Sequence, residues 1–303
     1  MTEESPRRDH LYGGQALIEG VMMRGKDVWA VAVRRPDDSI HTESHDINSV
    51  MSRHPILAKP GFRGVIALGQ ALAIGYKALM ISASSSQEEE EQLSGGQMAV
   101  SVSVALVLFL GIFMVLPIVV VGSTNRWLHL SPLPEALIEG CIRIGLFVAY
   151  IWAIGRMKEV RRTFEYHGAE HKTIAAYEHG EQLLPENVDK YSTLHVRCGT
   201  NFLFLTFGIA VLVFAVLTSL NGGLWWKIGV RVVGVPLVAA FAYEMLRLGA
   251  KFEDSAVMRI LMAPGLWLQK ITTKPPDESQ IEVAIASFQT VLAHEQEKLS
   301  GNG

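Results

Sequence analysis

The stretch MAVSVSVALVLFLGIFMVLPIVVV, residues 98–121, carries no charged side chain. A helix rises about 1.5 Å per residue, so about 20 apolar residues cross a hydrocarbon core of roughly 30 Å. This run is long enough to do so, and 136–155, 202–220 and 225–246 meet the same requirement. The expected fold class is therefore an α-helical polytopic membrane protein with about four transmembrane helices. Composition agrees, with 49% hydrophobic and 19% charged residues.

Outward from the first span, Gly64 to Ala83 places Val65, Leu68, Leu72, Tyr76 and Leu79 at helical spacing. An interfacial helix is preferred here to a fifth crossing, because a crossing would invert the charge balance of everything downstream. The Ser84–Ser86 and Glu88–Glu91 runs read as a solvated linker. Further upstream, 13–50 reads as a small β-rich segment. Val28 to Val33 leads through the turn residues Pro36-Asp37-Asp38-Ser39 into Ile40 to Ile47, for which a hairpin is the simplest form.

Positive residues set the orientation. Arg156, Lys158, Arg161 and Arg162 follow the second span, and Arg247, Lys251, Arg259, Lys270 and Lys274 follow the fourth. Those sides are expected to be cytoplasmic, with both termini and the 156–201 loop. Pro264-Gly265-Leu266-Trp267 reads as an interfacial turn, and Ile281, Ala284, Ile285, Phe288 and Leu292 as the apolar stripe of a C-terminal helix. The organisation expected is a β-rich segment (1–55), interfacial helix and acidic linker (56–97), two spans (98–155), a cytoplasmic loop (156–201), two spans (202–246) and an amphipathic C-terminal segment (247–303). The repeated Ala-Leu-Ile-Glu-Gly at Ala16 and Ala136 is taken as coincidence, since the flanks differ.

The net charge of -3 and the lack of a basic stripe give nucleic-acid binding no support. Cys141 and Cys198 lie in or beside different spans and suggest no disulfide framework. Arg7 and Arg8 precede no apolar core, so no signal peptide is expected. The expected partner is the lipid bilayer.

Chemistry concentrates in His167-Gly168-Ala169-Glu170-His171. On a helix over 158–179, His167, Glu170 and His171 fall at i, i+3 and i+4 on one face. Two imidazoles aimed at one point suit Zn²⁺, and the carboxylate is placed to take a proton from water, which is the inverted zinc-peptidase pattern. Glu170 is thus the catalytic candidate. Metal candidates are His167 and His171, joined by His195 and Cys198 before the third span and by Glu244, the preferred distal acid, at the inner end of the fourth. Glu178 lies on nearly the same face of the helix as His171. Glu139 and Arg143, an i, i+4 pair in the second span, and Arg231 in the fourth read as a structural salt bridge between helices.

Four motifs together carry a family likeness: Gly13-Gly14-Gln15-Ala16-Leu17-Ile18-Glu19-Gly20-Val21-Met22-Met23-Arg24-Gly25, Tyr166-His167-Gly168-Ala169-Glu170-His171-Lys172, Arg197-Cys198-Gly199-Thr200 and Pro264-Gly265-Leu266-Trp267-Leu268-Gln269. The chain resembles the YqhQ family of bacterial membrane proteins, from Gly13 to Ser287. The resemblance implies a metal-dependent protein of the bacterial inner membrane whose reaction is not known. Carried over by position, His167, Glu170, His171, His195 and Cys198 are its metal candidates, and Glu19 and Arg24 sit in its longest motif. Val196 departs from the proline expected in that segment.

Two readings follow from the sequence. One is a zinc-dependent membrane hydrolase acting on peptide or lipid-linked substrates. The other is a non-catalytic assembly or scaffold protein with a closed structural site of His167, His171, His195 and Cys198. Mixed imidazole and carboxylate ligation also admits Mn²⁺ or Fe²⁺.

Overall fold

The computed structural model describes residues 12–48, 51, 54–86, 95–195, 198–220, 224–252 and 255–300. The acidic run Glu88–Glu91 and Val196 lie outside them, as does the side chain of Arg231.

The N-terminal segment forms a four-stranded antiparallel sheet in the order β1 (Gly13–Leu17), β2 (Gly20–Arg24), β3 (Val28–Arg34), β4 (Ile40–Asp46). The expected hairpin is β3–β4. The glycine-rich motif before it adds β1 and β2, joined by the two-residue turn Ile18-Glu19, where Glu19 takes a left-handed φ of 52°. β3 is buried on both faces, which explains why Val28 to Val33 is apolar at every position.

Each face of the sheet has its own core. Leu17, Met22, Trp29, Val31 and Val33 meet Ile74 and Ala78 of helix α1 (Phe62–Ser85). Val21, Met23, Ala30 and Ala32 meet α5 (Lys158–Glu178) and α10 (Glu278–Ser300). In α10 the expected stripe is found, with Ile281, Ala284, Ile285 and Phe288 buried and Leu292 packed at the margin.

The other helices are α2 (Gly95–Leu110), a π-helical turn (Gly111–Val115), α3 (Leu116–Leu128), α4 (Pro132–Ile154), the short α6 (Pro185–Val188) after α5, α7 (Gly199–Ser219) and α8 (Leu224–Lys251). Among the described residues four helices are long and apolar enough to cross a membrane: Phe62–Ser85, Ala99–Leu128, Pro132–Ile154 and Gly199–Leu217. Three overlap the expected spans 98–121, 136–155 and 202–220. The fourth is α1, expected as interfacial, which meets the same length and composition. The remaining expected span, 225–246, lies within α8, where Pro236 sits inside the helix.

Two local features differ from expectation. Pro264-Gly265 makes no turn but lies inside α9 (Ala256–Thr272), where Gly265 lets the side chain of Asn201 approach the backbone. Second, Glu139 and Arg143 pair within α4 at 2.5 Å, and Arg143 Nε also donates to the Phe113 carbonyl at 2.9 Å. That carbonyl lies in the π turn four residues before Pro117, which has no N–H to donate back to it.

Candidate metal centre

α5 places His167 and His171 on a flank turned away from the sheet core, since Tyr166, Ala169, Thr173, Ala176 and Tyr177 face inward. Each imidazole is fixed from behind. His167 Nδ1 donates to the Thr272 carbonyl at 2.9 Å and His171 Nδ1 to the Thr193 carbonyl at 2.5 Å. With Nδ1 engaged on a carbonyl, the nitrogen of each ring left to face a ligand is Nε2.

The two Nε2 atoms look toward Cys198. His167 Nε2 stands 3.2 Å from Cys198 Sγ, and the donor atoms of His167, His171 and Cys198 all lie within 4.8 Å of one another. His171 is 1% exposed, and its Nε2 makes no hydrogen bond among the described residues. A buried ring nitrogen without a partner is costly, and a ligand at that point removes the cost. Burial also pushes the His171 imidazole below its ordinary pKa, against the opposing influence of the Cys198 sulfur, which keeps the ring in its neutral, ligating form.

Cys198 is the N-cap of α7, and its sulfur accepts from Thr200 N at 3.5 Å and Thr200 Oγ1 at 3.3 Å. Two imidazole nitrogens and one cysteine sulfur form a donor set that fits Zn²⁺.

Around this cluster, backbone groups are held by residues that the sequence reading passed over. Gln269 is fully buried, accepts from His195 N at 2.9 Å and donates to His195 O at 2.8 Å, pinning the segment that leads to Cys198. Gly168 lets the backbone of Lys274 cross directly over α5, where Lys274 N donates to Phe164 O at 2.9 Å. That crossing is what presents the Thr272 carbonyl to His167. Gln269 and Gly168 each lie within a motif already quoted, but the residue types alone do not mark these contacts.

The other expected site residues are distributed as follows. Glu170 is buried, with its carboxyl against Gly14 of β1, where a Cβ would come within 2.8 Å of Glu170 Cδ. Burial pushes its pKa up to about 7, with the neighbouring His167 acting in the opposite direction. His195 stands beside the cluster, its ring 5.6 Å from that of His171, but its Nε2 lies 3.6 Å from Glu178 Oε2. Glu244 is not brought to the cluster: it forms a two-point ion pair with Arg63 of α1, with Arg63 Nε at 2.6 Å from Oε1. The expected distal acid is thus occupied in joining α1 to α8.

Glu19 and Arg24 do not pair with each other. Glu19 accepts from Arg162 and, at 3.3 Å, from Tyr166 OH, tying the β1–β2 turn to α5. Arg24 donates to Gln70 of α1 at 3.1 Å.

The family described as a protein of unknown function, DUF1385, matches residues 59–294, most of the chain. The chain belongs to the DUF1385 family. It is also 35% identical over 300 residues to the uncharacterized protein YqhQ of Bacillus subtilis (strain 168), covering 93% of this chain and 92% of that one. No solved structure matches it. The DUF1385 region holds all three members of the cluster and Glu170, whereas the sheet that carries Gly14 precedes it.

Proposed function

We propose that this DUF1385 protein is a metal-dependent hydrolase of the bacterial inner membrane. In this reading His167, His171 and Cys198 hold one divalent ion, Zn²⁺ by preference, at the cytoplasmic membrane face. The observation that carries it is the pairing of backbone-fixed Nδ1 protons with a His171 Nε2 that is buried, unpartnered and directed at the Cys198 sulfur. When bound, such an ion supplies Lewis acidity toward water and a carbonyl or phosphoryl oxygen. Glu170, adjacent to His171 on α5, takes the proton of the attacking water and returns it to the leaving group.

Two features favour an open, catalytic site over a closed structural one. Three protein donors leave a coordination position for substrate or water. His195, the fourth donor of the scaffold reading, is turned toward Glu178 instead. The cytoplasmic placement is supported by the lysines and arginines of 156–162 and 247–274.

The test is metal content together with complementation. Glu170→Gln is expected to keep the ion and to fail to rescue a deletion strain. Full rescue by Glu170→Gln combined with failure of Cys198→Ser would transfer support to the scaffold reading.

A further inference from the structure

We propose that the free edge of β1 receives an extended polypeptide segment as a fifth strand, which makes a peptide the substrate of the site. This inference rests on the metal-hydrolase reading and adds the substrate class to it.

β1 ends the sheet and pairs only with β2 among the described residues. The register fixes which of its backbone groups are used. Gly25 N donates to Val28 O at 2.8 Å, so Gly25, Met23 and Val21 turn their backbone groups toward β3, Met23 N donating to Ser287 Oγ at 3.1 Å and that hydroxyl to Ala30 O, while Arg24, Met22 and Gly20 turn theirs toward β1. Their partners across β1 are Gly13, Gln15 and Leu17. Gly14 and Ala16 therefore turn N–H and C=O outward, and no partner takes these groups among the described residues. A strand edge of this kind is a template for another chain.

The edge also lies in the right place. Gly14 is exposed, and the Glu170 carboxyl rests against it because Gly14 has no Cβ. A strand added to β1 runs about 4.8 Å beyond it. It then lies beside the Glu170 carboxyl that rests against Gly14, and His171 follows Glu170 on α5. A lipid-linked ester would gain nothing from two outward peptide groups in register with the catalytic carboxylate.

The test uses hydroxamates on the metal-loaded, full-length protein in detergent micelles. Acetohydroxamate reports the ion alone, a tripeptidyl hydroxamate reports the ion plus the strand edge, and a palmitoyl hydroxamate reports a lipid site. The peptidyl probe is expected to bind about tenfold or more tighter than acetohydroxamate. Ala16→Pro, which removes an outward N–H from an edge position that tolerates proline, is expected to abolish that gain while preserving acetohydroxamate affinity. Should that variant fail to fold, a benzophenone-bearing peptidyl hydroxamate on the wild type is expected to label Gly13–Leu17. A peptidyl probe no tighter than acetohydroxamate, a palmitoyl probe tighter than both, or label elsewhere overturns the peptide inference and leaves the metal site standing. Failure of acetohydroxamate itself to bind removes the metal reading and the inference with it.

Discussion

The Lys274 carbonyl oxygen occupies the position that a Cβ on Gly168 would need. The obstacle is backbone, so it cannot swing aside as a side chain does. Gly168→Ala is expected to push the 272–277 segment off α5 and to draw the Thr272 carbonyl away from His167 Nδ1. About 1–3 kcal/mol of stability should be lost, along with most bound metal. Gly13, with nothing near its Cβ position, is the control: Gly13→Ala should keep both. Thermal unfolding in detergent and elemental analysis of the two variants check this.

Gln269 pins both backbone groups of His195. Gln269→Leu keeps the volume but leaves an N–H and a C=O in a part-buried place without partners, a cost of about 2 kcal/mol or more. Because Cys198 follows three residues later, metal affinity is expected to fall about 10–100-fold. Chelator competition measures it. Unchanged affinity would show that the Cys198 segment is positioned by something other than Gln269.

Arg63 and Glu244 join α1 to α8. Glu244→Gln is therefore expected to retain the full metal content of the wild type, and loss of the ion would restore Glu244 as a ligand. Arg63→Ala should destabilise more than Arg63→Ala/Glu244→Ala, because the single variant strands a carboxylate and the double variant does not. Melting temperatures of the three variants decide it.

Asp277 and Gln280 cap α10 reciprocally: Gln280 N donates to Asp277 Oδ1 at 2.9 Å and Asp277 N to Gln280 Oε1 at 2.9 Å. Burial acts to raise the Asp277 pKa, but donors from Ser279 and Gln280 and the charge of Arg162 outweigh it and hold the carboxyl below its ordinary value. A carboxylate depressed by folding stabilises above its unfolded pKa of about 3.9, and that stabilisation is lost as pH falls through the lower folded value. Asp277→Ala should cost about 1 kcal/mol at neutral pH, and Asp277→Asn should keep the cap while removing its share of the acid-side loss. Unfolding curves between neutral and acidic pH test both.

Much of this was readable from side-chain spacing, and what was not depends on backbone and distance. His167, Glu170 and His171 advertise themselves because one helix sets their spacing, and His195 and Cys198 because they precede a long apolar helix. The Thr193 and Thr272 carbonyls that orient the imidazoles leave no trace in the residue types. Glu244 read as a distal acid because its partner, Arg63, lies 181 positions earlier. Pro264-Gly265 read as a turn because the dipeptide usually punctuates a chain, yet here the glycine serves a helix crossing at Asn201. β1 and β2 fall inside the β-rich segment expected over 13–50, but glycines that break apolar alternation conceal their bounds, and those glycines are needed where Glu170 and the β3 backbone come close.

The most direct measurement is the metal stoichiometry of the purified full-length protein and of His171→Ala, by inductively coupled plasma mass spectrometry. The account requires about one divalent ion per chain in the wild type and its loss in the variant, with the fold of the variant verified by its α-helical circular dichroism. A folded wild type that carries no ion after reconstitution with Zn²⁺, Mn²⁺ or Fe²⁺, or a variant that keeps its ion, would contradict it.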